Sequence, residues 1–213
     1  MTRAGSSASA TRFPGFRVLG QSEHWDPVTT GVVLDRIGMA PDIRFFTPAE
    51  QAVATALCDQ LLHQTGEDPL ATVPVVNLID ARLSEQQTDG WHYQEMPEDG
   101  RAWRDTLAAL DADAREHYDA DFALCSGEQQ QHLVQAVQDL GTGEWHGLSA
   151  KHVWSLWTRY ACTALYSHPS AWDEIGFPGP AYPRGYKNAG VDKREPFEVA
   201  DARPGDDPAR GRT

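Results

Sequence analysis

At 213 residues the chain can form one domain with its own core, and a hydrophobic share of 40% with a mean hydropathy of -0.51 leaves part of it outside that core. The formal charge of -13 sits wholly in residues 47–169, which hold six basic and nineteen acidic side chains, while 1–46 (five and four) and 170–213 (seven and eight) nearly balance. So acidic a body repels phosphate backbones, which argues against nucleic acid or an anionic membrane surface as partner.

The first dozen residues are rich in Ser and Ala and read as disordered. They carry Arg3 and Arg12 but no apolar stretch and no twin arginine, so no secretory signal is expected. Cys58, Cys125 and Cys162 form no CxxC pair and no disulfide framework, which fits reduced thiols in a cytoplasm. No apolar run approaches the ~18 residues of a membrane span. Asp26-Pro27 is expected to break the chain, and residues 29–37 form a short helix or strand, with Val32, Val33 and Ile37 favouring a helical face.

A run of helices follows. Thr47-Pro48-Ala49-Glu50 combines a cap, a proline suited to the first helical position and the glutamate of a capping box. Ala52, Val53, Ala56, Leu57 and Leu61 continue it at helical spacing, and Gly66 and Pro69 are expected to end it. A second helix is predicted over 74–87 and a third over 100–120, separated by a loop, 88–100, whose aromatics read as buried. Ser126 and Gln129 frame another capping box, Leu133, Val134, Val137 and Leu140 follow, and Gly141 supplies the stop. The fifth helix begins at Ser149 and carries Val153, Trp154, Trp157 and Tyr160 on several sides, which makes it central. No alternating run of strand length occurs. The expected class is all-α, a compact bundle of about five helices that buries Leu57, Ile79, Leu107, Val137 and Trp157 together, followed by an extended Pro/Gly/aromatic-rich C-terminal segment. The expected organisation is a disordered start (1–12), an N-terminal extension (13–46), the helical domain (47–169), an extended partner-contacting segment (170–200) and a disordered end (201–213).

Chemistry leaves few marks. There is no GxGxxG, no Gly-Lys-Ser/Thr and no GxSxG. None of the twelve Glu residues is followed by His three positions on, and no two His lie four apart, so neither di-iron nor helical zinc spacing is present. His146 and His152, at the start of the fifth helix, come closest to a cluster. The pairs Asp111/Asp113 and Asp119/Asp121 read as solvated charge on an acidic helix. No catalytic, cofactor-binding or metal-binding residue is therefore assigned. Residues 170–213 hold six Pro and six Gly with Trp172, Ile175, Phe177, Tyr182, Tyr186 and Phe197 among them, a composition suited to lying across a surface, its own or a partner's, rather than to a disordered tail.

That tail carries a resemblance. AWDEIGFPGPAYPRGY (171–186) resembles the C-terminal signature of the gluconate 2-dehydrogenase subunit 3 family, with Trp172, Ile175-Gly176-Phe177, Gly179-Pro180 and Pro183-Arg184-Gly185-Tyr186 at the matching positions. FFTPAE (45–50), NLIDARL (77–83) and WHYQEMPEDGRAWRDTLAALD (91–111) are similar to earlier parts of the family, so the likeness runs over about 45–198. The resemblance implies a non-catalytic small subunit that assists assembly or stability of an FAD-dependent, glucose-methanol-choline type dehydrogenase acting on a sugar, sugar acid or polyol. It places FAD in that partner and none in this chain, and in such complexes a cytochrome subunit often takes the electrons. Many members carry a twin-arginine signal. This sequence departs from that pattern, so a cytoplasmic location is expected, or a periplasmic one by export with a partner. The expected partner contacts are Trp172, Ile175, Phe177, Pro178, Pro180, Tyr182, Pro183, Arg184 and Tyr186. The alternative is a free-standing helical ligand-binding protein or enzyme using the Trp/His-rich region 145–160.

Overall fold

A computed structural model describes residues 13, 16–38, 40–64, 72–180 and 195. The chain divides into two units, Ala40–Ser167 and a smaller one drawn from Met1–Met39 and His168–Thr213.

The described residues of the larger unit form five α-helices: α2 (Pro48–Leu62), α3 (Val75–Ser84), α4 (Asp99–Tyr118), α5 (Gly127–Asp139) and α6 (Ala150–Ser167). Both capping boxes form. Thr47 Oγ1 accepts from Glu50 N–H while Glu50 accepts from Thr47 N–H at 2.8 Å, and Ser126 and Gln129 repeat the pattern. Helix α2 ends earlier than expected: His63 takes the left-handed conformation at its C-cap, and the proposed stops Gly66 and Pro69 lie outside the described residues. Helix α6 packs against α2, α3, α4 and α5, as its aromatic composition predicts. Leu57, Ile79, Leu107, Val137 and Trp157 are each at most 1% exposed.

Asp80 ties the approach to α2 to this bundle. It is fully buried on α3, where its carboxylate accepts from three successive backbone N–H groups, Arg44 at 2.6 Å, Phe45 at 2.9 Å and Phe46 at 2.7 Å. A lone buried carboxylate is costly unless so satisfied. The chain then turns into Thr47 with its donors already engaged. The close approach of Phe45 to α4 also accounts for Gly100, where a Cβ would meet the ring at 3.1 Å.

Between α5 and α6 lies a hairpin of two two-residue strands, β1 (Glu144–Trp145) and β2 (Leu148–Ser149). His146 and Gly147 both have positive φ, 48° and 77°, as a type I′ turn requires. Strands this short leave no alternation to read.

Among its described residues the smaller unit holds a 3-10 stretch, Val18–His24, followed by α1 (Pro27–Gly38). Asp26-Pro27 starts this helix rather than breaking the chain: Asp26 Oδ1 accepts from Val28 and Thr29 N–H, and Pro27 takes the first helical position. The segment expected to be extended from residue 170 instead opens with a 3-10 turn, Pro169–Ala171, and a single helical turn, α7 (Trp172–Ile175). Gly176, left-handed at φ 67°, ends it. Four residues are too few to show a helical period. Val18, Trp25, Val33 and Trp172 form the buried cluster of this unit, with Phe16 and Ile37 packed against it.

Candidate functional site

The residues expected to contact a partner separate into three groups. Trp172 is only 4% exposed and lies inside the cluster just described. Pro178 is buried and its carbonyl accepts the Trp25 indole N–H at 3.2 Å, while Pro180 is half-buried. Ile175 and Phe177 are exposed, and Phe177 stands edge-on to Trp172 with ring centroids 5.0 Å apart. Tyr182, Pro183, Arg184 and Tyr186 lie outside the described residues. The outward side of the described tail is therefore aliphatic and aromatic, Ile175 with Phe177, next to the acidic Glu174.

In the larger unit the structure assembles a polar cluster that sequence reasoning missed. Asp99, 4% exposed at the first turn of α4, accepts the Tyr160 hydroxyl at 2.6 Å and lies 3.4 Å from Arg159 Nη2. Asp89 pairs with both Arg82 of α3 and Arg159 of α6. Arg82 sits over the Tyr160 ring at 4.9 Å, and Arg159 lies 5.3 Å from the Trp91 ring. Burial, and then the hydrogen bond to Asp99, push the Tyr160 phenol well above its usual range, so it stays a donor. Burial also lowers Arg159, with Arg82 adding repulsion against the opposing influence of Tyr160. Trp91, read from sequence as buried, is 51% exposed and covers Arg159 from outside. Two arginines and two aspartates from four places in the chain neutralise one another here. No spacing in the sequence announces such a set.

The region 145–160 does not converge on one point. His146 Nε2 pairs with Asp113 at 2.6 Å, and the same carboxylate accepts the Trp145 indole N–H at 2.8 Å. Asp113 therefore anchors the hairpin and is not simple solvated charge. Asp111 likewise accepts from Phe122 N–H at 2.9 Å. His152 instead stacks on Tyr93 at 3.7 Å, and Trp157 is buried core that donates to Thr106 Oγ1 at 3.0 Å. The space between His92, Tyr93, Met96, Asp99, His152 and Arg159 has room for about one water molecule, far short of a small-molecule site. Among the described residues no three His, Cys, Asp or Glu side chains are grouped to hold a metal ion. Cys58 is buried and its thiol is pushed up to about 12 by burial, so it is no nucleophile at neutral pH. No helix among the described residues is long and apolar enough to cross a membrane.

The model of the family described as gluconate 2-dehydrogenase subunit 3 matches residues 48–179, more than half of the chain. The chain belongs to the gluconate 2-dehydrogenase subunit 3 family. Comparisons with curated proteins and with solved structures return no match. The family match opens with α2, takes in all five helices of the larger unit and closes inside the tail, after the turn at Gly176. Asp99, Asp113 and Tyr160 fall within it together with their partners, and Asp80 falls within it while its donors Arg44, Phe45 and Phe46 lie just before it. The α1 segment lies before it.

Proposed function

We propose that this chain is a non-catalytic small subunit that assists the assembly or stability of an FAD-dependent, glucose-methanol-choline type dehydrogenase, one that oxidises a sugar, sugar acid or polyol. In this reading FAD and the redox chemistry reside in the large subunit, and the present chain contributes a folded surface. The observation that carries it is the family match over 48–179, from the first helix of the bundle into the tail motif. Exposed Ile175 and Phe177 at the end of that match supply apolar contact area of the kind that concentrates binding energy at interfaces.

The test is co-expression with a glucose-methanol-choline type flavoprotein from the same genome. The two should co-purify, and the large subunit made with this chain should carry several-fold more FAD per polypeptide, or survive heating longer, than the large subunit made alone. Equal FAD content and equal heat resistance with and without this chain would overturn the reading.

A further inference from the structure

The tail motif is gripped by the chain's own N-terminal segment. Asp173 accepts from Val18 N–H at 2.6 Å and from the Arg17 guanidinium at 3.1 Å. Trp25 donates its indole N–H to the Pro178 carbonyl at 3.2 Å. The same indole lies so close over Gly179 that a Cβ there would come within 2.6–2.9 Å of three ring atoms, and Gly179 has a φ of 86° that disfavours any side chain. Val18 and Val33 complete the cover over Trp172. An apolar slot, a donor matched to one carbonyl, a cation and an N–H on one carboxylate and a position restricted to glycine are together the features of a peptide held in a binding site.

We propose that residues 16–38 form an intramolecular clasp on the tail motif 172–179, and that the clasp withholds Trp172 and the Pro178 carbonyl from a partner until it is displaced. The clasp lies outside the residues matched by the family, whereas the motif it holds lies inside them. Its hold is of a kind that opens locally. Among the described residues the buried cluster is Val18, Trp25, Val33 and Trp172, a small group of the kind that opens sub-globally. Arg17 is 71% exposed, so its ion pair with Asp173 adds little. A partner that replaces the clasp must offer its chemistry: a flat aromatic ring for Gly179, an N–H donor for Pro178 and a cation for Asp173. We assign that role to a basic, aromatic-bearing patch on the large subunit. This assignment rests on the proposed function, whereas the clasp itself does not.

Two full-length variants open the contact from its two sides, Trp25→Ala by removing the indole and Gly179→Ala by forcing it away. Hydrogen exchange on the chain alone should show the amides of Val18 and Phe177 exchanging at least ten-fold faster in both variants, with amides of α2–α6 unchanged. Exchange that is unchanged at Val18 and Phe177, or accelerated equally throughout the chain, overturns the clasp. Association with the co-expressed flavoprotein should then be at least ten-fold tighter for Trp25→Ala than for the parent. Association that is equal or weaker, with exchange accelerated, overturns the withholding role. Failure of the parent chain and of both variants to associate at all counts against the proposed function and against the assigned partner, while the exchange measurement still decides the clasp.

Discussion

Tyr160 donates its hydroxyl to Asp99 at 2.6 Å, and this one bond joins the last helix of the bundle to the first turn of α4 in a setting nearly closed to water. Asp99 also faces Arg159, so its carboxylate offsets a partly desolvated cation. Removing one member of such a set costs more than the set contributes as a whole, because the remaining charge stays buried.

Asp99→Ala should therefore destabilise the larger unit by about 3–5 kcal/mol. Tyr160→Phe, which leaves the carboxylate facing Arg159 and removes only one donor, should cost about 1–3 kcal/mol. Urea unfolding followed by far-ultraviolet circular dichroism measures both. Equal losses for the two substitutions would show that Asp99 acts only as the acceptor for Tyr160.

Asp80→Asn tests the three-donor site. Arg44 N–H bonds to one carboxylate oxygen and the N–H groups of Phe45 and Phe46 share the other. An amide keeps one oxygen and sets an NH₂ against the remaining donor, so one N–H loses its partner at a cost of about 1–3 kcal/mol. Exchange of the stranded amide should accelerate more than that of amides in the middle of α2. A variant as stable as the parent would mean that the N–H groups find water instead.

Two tryptophans allow a matched comparison. Trp103 and Trp157 are both fully buried, but only Trp157 has a partner for its indole N–H, Thr106 Oγ1, whereas the Trp103 N–H is unsatisfied. Replacement by Phe removes similar volume at each. Trp157→Phe should be the more destabilising, by about 1 kcal/mol, the net worth of one hydrogen bond. Thermal unfolding of the two variants side by side decides it.

His168 gives the smaller unit a pH dependence. It is 5% exposed, and its Nδ1 accepts from Ser170 N–H at 3.2 Å, which requires an unprotonated nitrogen. Burial lowers its pKa, with the hydrogen bond to the Arg36 carbonyl opposing and the Arg36 charge adding to the shift. The folded state thus binds its proton at lower pH than the unfolded chain, whose histidine titrates near 6.5. Between those two values the unfolded state holds more protons, so stability falls as pH drops below about 6.5 and levels off once the folded pKa is passed. Ser170 amide protection, corrected for intrinsic exchange, should follow this curve. His168→Gln should flatten it, and a slope unchanged in that variant would assign the effect to another group.

The sequence by itself determined the helical class, both capping boxes, core positions such as Leu57, Ile79, Leu107, Val137 and Trp157 and the central place of α6, and its tail motif pointed to the family that the match over 48–179 establishes. Those features are local: a cap and its glutamate stand three residues apart, and a helical face repeats every three or four. Tertiary structure alone decided the rest. Asp80 meets its donors some 35 residues upstream, Asp113 holds an indole and an imidazole more than 30 residues downstream, and Asp99 finds Tyr160 61 residues on. Trp172 reads as an anchor for its own chain or for a partner in a Pro- and Gly-rich segment, and in the structure Trp25, Val18 and Val33 bury it. Composition records how apolar a side chain is. Whether its cover comes from the same chain or from a partner depends on which distant segment reaches it, and no local pattern encodes that distance.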